Sequence, residues 1–248
     1  MAVSQNTDST TPHECGLWLD LDGLLLRTEG PQRPVCQQLT LELFGLETTW
    51  ADFSFALGAS RDETARGFNE RFAHLPLREG VDLGSAPSVG DFMLDRLVEI
   101  RHQQIERDGV ELMPGAERLL DLSDRGRLRR AVATSRQERR ARELLGHAGV
   151  GHRVEIVVGS DSDGVKAPKP APDIGLEASR RLEVPPKLCW ALEDSPPGVE
   201  GQARAGAKVL YVFDRTVAEP SRAARALATH TVGSLDEAVD FLQKELGV

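Results

Sequence analysis

Lysine is scarce in this chain. Of 30 basic residues among 248, only five are lysines: Lys166, Lys169, Lys187, Lys208 and Lys244. Positive charge is in deficit overall, with a net charge of −9. That balance argues against nucleic acid as a partner. The three cysteines, Cys15, Cys36 and Cys189, are odd in number and widely spaced. They suit neither a disulfide framework nor a structural zinc site, so a reducing, cytoplasmic setting is expected. No apolar run approaches the length of a membrane span, and the N-terminus has no apolar signal core, so no membrane partner is expected. No internal repeat is visible. Residues 1–13 are small and polar, which predicts a disordered tail.

What is present begins at Trp18-Leu19-Asp20-Leu21-Asp22-Gly23. Gly16 to Leu19 reads as a short apolar strand running into two carboxylates one residue apart. Strand side chains alternate with period two, so Asp20 and Asp22 face the same way if the chain stays extended. Gly23 then permits a sharp turn. Two like charges at a strand end repel unless a cation or a shared proton relieves them. Oxygen ligands of this kind suit a hard divalent ion such as Mg²⁺. The same residues also fit a plain surface turn, and the choice depends on the remainder of the chain.

With 40% hydrophobic residues the chain can build a sizeable core. Residues 31–110 read as helices without a convincing strand. One runs from about Pro34 to Phe44. A second starts at Ser60, where Ser60-Arg61-Asp62-Glu63 fits a capping box. A third spans about Val89 to Arg107. After Met113-Pro114-Gly115 the character changes to alternation: helix Ala116–Ser123, strand Leu128–Thr134, a helix with Ser135 as N-cap, strand Glu155–Val158, helix Pro172–Leu182, strand Leu188–Leu192, a further helix, strand Val209–Phe213, and a last helix Ser234–Glu245. Such alternation predicts an α/β fold with a doubly wound parallel sheet, where ligands bind at the carboxyl ends of the strands. The expected division is a core from residues 14–30 and 111–248, with residues 31–110 as an all-helical insert.

Three more strand ends carry candidate chemistry. Thr134-Ser135 places hydroxyls beside helix N-terminal amides, fitting either an anion site or a simple cap. Lys166-Ala-Pro-Lys169-Pro-Ala-Pro-Asp173 alternates prolines with a lysine, which stiffens the loop and presents Lys169 from it. Glu193-Asp194 ends an apolar strand, and Ser195-Pro-Pro-Gly198 opens a helix. Each signal alone has a bland reading. Their order, each at a carboxyl end of one sheet, is what a catalytic edge would give.

These four motifs, Asp20-Leu-Asp22-Gly, Thr134-Ser135, Lys169-Pro-Ala-Pro-Asp173 and Glu193-Asp194-Ser-Pro-Pro-Gly198, resemble the haloacid dehalogenase-like hydrolase superfamily. The similarity is strongest to the subgroup of β-phosphoglucomutase and small sugar-phosphate phosphatases. It implies a Rossmann-like core with a helical cap inserted after the first strand. It implies Asp20 as nucleophile, Asp22 as general acid and base, and Thr134, Ser135 and Lys169 as phosphoryl-binding groups. It implies a Mg²⁺ cofactor held by Asp20, Asp194 and the backbone carbonyl of Asp22, with Glu193 supporting that shell. Gly58-Ala59-Ser60-Arg61 resembles the segment that presents a substrate-binding arginine, here Arg61.

Departures narrow the subclass. Gln32 stands where mutases carry a histidine, and Arg136-Gln137-Glu138 replaces a Ser-Lys-Asn run. Both favour hydrolysis. Residues 30–110 hold no lysine for a Schiff base, which excludes phosphonoacetaldehyde hydrolysis, and Asp22 argues against dehalogenation. Arg27 takes the place of a usual aspartate without an evident reason. The expected function is a Mg²⁺-dependent phosphatase acting on a small phosphorylated metabolite, such as a sugar phosphate, as a monomer or homodimer. A hexose-phosphate mutase and a non-catalytic phosphate-binding module are the alternatives.

Overall fold

The computed structural model describes residues 15–28, 32–56, 61–213 and 221–248, and in the helical turns it leaves the side chains of Gln32, Arg33, Trp50, Ser54, Ala56 and Arg61 undescribed. The expected tail and the whole of the Gly58–Ser60 segment, with the N-cap of the expected capping box, therefore lie outside the described residues. The chain divides into two compact units, one from residues 1–27 and 111–248, the other from residues 28–110.

The first unit is built on a six-stranded sheet. Its strands are β1 (Gly16–Leu19), β2 (Arg129–Ala133), β3 (Ile156–Val158), β4 (Cys189–Glu193), β5 (Lys208–Val212) and β6 (His230–Val232). Their order is β3-β2-β1-β4-β5-β6, and every pairing is parallel. This is the α/β, Rossmann-like doubly wound fold. The residues of β1 and β4 are all buried, as parallel strands covered on both faces must be. The core on one side gathers Trp18, Ala131, Val158, Ile174, Val199 and Tyr211.

The strand order reverses beside β1. The chain moves outward through β2 and β3, then returns to place β4 on the other side of β1. Leu19 is level with Val132 on one neighbour and with Leu192 on the other. The residues just beyond therefore emerge together: Asp20 from β1, Thr134 from β2, Glu193 from β4. A crevice at such a reversal is where this architecture binds ligands.

The helices of this unit are α4 (Ala116–Arg125), α5 (Glu138–His147), α6 (Asp173–Leu182), α7 (Pro196–Ala205), α8 (Arg222–Leu227) and α9 (Leu235–Leu246). Helix α7 starts where the sequence indicated. Ser195 accepts from the Gly198 N–H at 3.2 Å, and Pro196 takes the first helical position. Ser234 caps α9 in the same way, and Glu237 reaches back to the Gly233 N–H at 2.8 Å.

The start of α5 corrects an expectation. Ser135 does not cap it. The helix begins three residues later, at Glu138, and the Glu138 N–H is taken by Asp161 Oδ1 at 2.7 Å. A carboxylate from a distant loop has replaced the local hydroxyl. Strand β6 and helix α8 were not expected either.

The second unit contains α1 (Gln32–Phe44), α2 (Arg61–Phe72) and α3 (Val89–Asp108), with a 3₁₀ segment over Trp50–Ala56. Helix α1 begins two residues ahead of the expected Pro34. The unit packs around its own apolar cluster, including Phe53, Phe68, Phe72 and Met93, all buried. Among the described residues it contains no strand. Ser88 caps α3 by accepting from Asp91 N–H at 3.1 Å.

The junction between the two stretches of the first unit is a small antiparallel stem. Leu26 bridges Leu112, the Arg27 N–H donates to Glu111 O at 2.9 Å, and the Met113 N–H donates to Leu25 O at 2.9 Å. Arg27 has a place here. Its guanidinium faces the Glu111 carboxylate at 3.8 Å, with both side chains largely exposed.

Candidate active site

Beyond Asp20 the chain leaves the sheet. The Leu25 and Leu26 N–H groups both donate to Leu21 O, at 3.1 and 2.9 Å, and the Gly23 N–H donates to Leu26 O at 2.9 Å. Asp20 still follows the sheet, while Asp22 therefore sits in a tight turn rather than along an extended strand. Gly23 adopts a φ of 78°, in the left-handed region. A β-carbon there would also lie 2.1 Å from Asp194 Oδ2, so this backbone and that carboxylate can approach only because the residue is glycine.

Asp20 is buried and anchored by its N–H to Leu192 O at 3.1 Å. Lys169 Nζ lies 2.5 Å from Asp20 Oδ1, 2.6 Å from Glu193 Oε1 and 2.9 Å from the Ala133 carbonyl. The lysine side chain is only 5% exposed and that of Glu193 is fully buried. Lys169 is thus no solvated linker residue. Its loop is braced by Asp173, whose Oδ2 accepts from the Lys166 and Ala167 N–H groups at 2.8 and 3.2 Å. The Lys169–Pro170 peptide bond is cis.

Burial sets the charge balance. Desolvation raises Asp20 above the ordinary carboxylate range; the adjacent Lys169 opposes this and the nearby Asp22 adds to it. Desolvation likewise raises Glu193, to about 7, with Lys169 pulling it down and Asp20 pushing it up. Burial alone would lower Lys169, but the Asp20 and Glu193 carboxylates outweigh it and hold the ammonium well above its usual value. Lys169 stays charged. One buried ammonium among these carboxylates leaves a surplus of negative charge, which a proton or a cation must offset.

The donor set fits a cation. Asp20, Glu193 and Asp194 each offer a carboxylate oxygen, and these atoms lie within 4.8 Å of one another. All are hard oxygen donors, suited to Mg²⁺ rather than to a thiophilic metal. Glu193 Oε2 is buried with no hydrogen-bond partner among the described residues.

Thr134 is buried at the end of β2, where its N–H donates to Val158 O at 3.0 Å and its Oγ1 accepts from the Arg136 N–H at 3.1 Å. Ser135 beside it is exposed. The Asp22 carboxylate stands apart from the three-carboxylate cluster and accepts from Arg136 Nε at 2.6 Å. Arg61 is the first residue of α2, and its side chain lies outside the described residues.

No sequence pattern pairs Arg136 with Asp22 or marks the close approach of Gly23 to Asp194. Arg136 and Asp22 are 114 positions apart, so only tertiary structure pairs them. Gln202 did leave a signal. It falls three residues after Val199 on α7, on the face that buries Val199 and Ala205.

A strand-end aspartate is thus bonded to a buried lysine beside two further carboxylates at a sheet reversal. The chain belongs to the haloacid dehalogenase-like hydrolase family, whose family model matches residues 17–206. Among curated proteins it is 31% identical over 201 residues to "Protein CbbY" of Rhodobacter capsulatus, covering 78% of this chain and 83% of that one. It is 30% identical over 241 residues to "Probable pseudouridine-5'-phosphatase" of Drosophila melanogaster, covering 92% of each. Among solved structures it resembles a HAD family hydrolase from Deinococcus radiodurans R1 with bound phosphate and sodium, with TM-score 0.75, 24% identity, and coverage of 96% and 98%. It also resembles a putative β-phosphoglucomutase from Thermotoga maritima, with TM-score 0.73, 23% identity, and coverage of 92% and 98%. Both structural likenesses concern the fold.

Proposed function

We propose that this hydrolase is a Mg²⁺-dependent phosphatase that cleaves a small phosphomonoester, of the sugar-phosphate kind, through an aspartyl-phosphate. The observation that carries this reading is the contact of Lys169 Nζ with Asp20 Oδ1 at 2.5 Å inside a buried carboxylate cluster. The names of the curated relatives support the substrate class, since they include a pseudouridine-5'-phosphatase and "(DL)-glycerol-3-phosphatase 2" of Arabidopsis thaliana, 32% identical over 205 residues.

Asp20 is the nucleophile. Its carboxylate oxygen bonds to phosphorus as the bond to the leaving oxygen breaks. Asp22 gives a proton to that oxygen, then takes one from the water that attacks the aspartyl-phosphate, which returns Asp20 and frees inorganic phosphate. Lys169 and Thr134, with Ser135, hold the phosphoryl oxygens. A phosphoryl group in flight carries charge on its peripheral oxygens, so positioning and neutralisation supply most of the rate. Asp20, Asp194 and the Asp22 carbonyl, supported by Glu193, would hold Mg²⁺, which supplies further positive charge at the phosphoryl group. Arg61 is a substrate-contacting residue of the helical unit, which serves as the cap. Three buried free thiols agree with a reducing, cytoplasmic setting. Among the described residues no helix is long and apolar enough to cross a membrane.

The test is phosphate release from a broad phosphomonoester panel with and without Mg²⁺. Release that needs Mg²⁺ and falls roughly 10³-fold or more in Asp20→Asn is expected. No release from any ester, or an active Asp20→Asn, sinks the reading. Interconversion of hexose phosphates with little free phosphate selects the mutase alternative.

A further inference from the structure

The catalytic lysine is held by a carboxylate, and that carboxylate is itself held. Gln202 Nε2 donates to Glu193 Oε1 at 3.2 Å, the same oxygen that receives Lys169 Nζ at 2.6 Å. The amide nitrogen faces Glu193, because Oε1 already accepts from Lys169 and so has no proton to give. Gln202 is 2% exposed and Glu193 is fully buried.

The fold makes room for this pair. A β-carbon at Gly175 of α6 would lie 2.3 Å from Gln202 Oε1, and one at Gly198 of α7 would lie 1.9 Å from Glu193 Oε2. Two helices thus omit side chains where the amide and the carboxylate pass. Gln202 Oε1 has no partner among the described residues, a cost an apolar side chain of equal length would avoid. The surrounding face of α7 is apolar, with Val199 and Ala205 buried beside it. The amide is therefore retained against the packing preference of its surroundings, and among the described residues the one group it bonds leads to Lys169.

We propose that Gln202 is a positioning residue: it fixes the Glu193 carboxylate so that Lys169 is held against Asp20 in the geometry the phosphoryl group requires. This rests on the phosphatase reading for its kinetic consequence, but the pairing itself does not. Gln202 touches no reacting atom. It acts through Glu193, as outer partners of charged site residues commonly do.

The test uses the full chain, with Gln202→Met to remove the donor at constant volume, Glu193→Gln, and the double variant. Gln202→Leu is read alongside, so that failure of one variant to fold leaves the other. In urea unfolding the shifts of the two single variants should not sum to that of the double variant, since the residues share one interaction. Additive shifts overturn the proposal, whether or not the protein turns over any ester. On an ester that the wild type hydrolyses, Gln202→Met should lower kcat roughly 10-fold or more, leave KM unchanged, and add no further loss in the Glu193→Gln background. A rise in KM with kcat intact, or a full additional loss in that background, also overturns it. A wild type that hydrolyses nothing sinks the phosphatase reading instead, and the unfolding arm then decides the pairing alone.

Discussion

At the scale of single residues the site is made as much by omissions as by functional groups. Gly23 combines a φ of 78° with a carboxylate 2.1 Å from where a β-carbon would be. Gly23→Ala therefore meets two penalties at once, backbone strain of about 1–3 kcal/mol and displacement of Asp194. The expected result is a lower denaturation midpoint and, on the Mg²⁺-dependent phosphatase reading proposed above, a rise in the Mg²⁺ concentration needed for half-maximal phosphate release. A variant that melts lower but keeps its metal requirement would show that Asp194 does not depend on this approach. The sequence places Asp20, Glu193 and Asp194 at the ends of apolar strands and Lys169 in a proline-stiffened loop, and the fold brings the four side chains together. Their partners were harder to read. Nothing local joins Arg136 to Asp22, or Lys169 to Asp20 and Glu193. Those contacts exist only once β1, β2 and β4 are neighbours.

At the scale of elements, a charged lattice ties α5, β3 and α6 together. Glu177 accepts from Arg180 at 2.7 Å and from Arg181 at 2.6 Å, and Arg181 bonds Glu138 Oε2 at 2.9 Å and the Val157 carbonyl at 3.0 Å. Hydrogen bonds from Arg180, then Arg181, hold the Glu177 carboxyl down at about 2, against the opposing effect of its burial, from an ordinary 4.5. The folded value lies below the unfolded one. The stabilisation is therefore complete above pH 4.5 and is lost as the pH falls from 4.5 towards 2. Glu177→Gln should cost about 1–3 kcal/mol near neutrality, and the gap from the wild type should close across that acid window in urea titrations. A gap independent of pH would assign the loss to packing. The elements themselves were read well where apolar periodicity was long, as in β4 and α9. They were misread where a distant group intervened. Helix α5 starts at Glu138 because Asp161 supplies its cap, and β6, His230-Thr231-Val232, lacks the apolar run that marks the equally short β3.

At the scale of the whole molecule, two cores share one chain. One unit packs on the sheet and the other on a phenylalanine-rich cluster in which Phe44 and Phe72 stack at 6.0 Å and Phe55 meets Phe68 edge-on at 5.4 Å. From the change of helices alone to alternating strand and helix, the sequence leads one to expect an insert over residues 31–110; the second compact unit runs over residues 28–110. Joining Arg27 to Glu111 through a short glycine-serine linker, in place of residues 28–110, should give a protein that still unfolds cooperatively and keeps the Lys169–Asp20 contact. Circular dichroism and a thermal melt check the first expectation. A linker variant that remains collapsed but shows no cooperative transition would mean that the sheet unit needs the insert to fold.

The Leu26–Leu112 bridge has a consequence for how such a molecule can change over generations. With departure and return fastened side by side, the length of what hangs between them adds little to the entropy of closing the loop. Selection can therefore lengthen, trim or replace residues 28–110 at little conformational cost to the sheet unit.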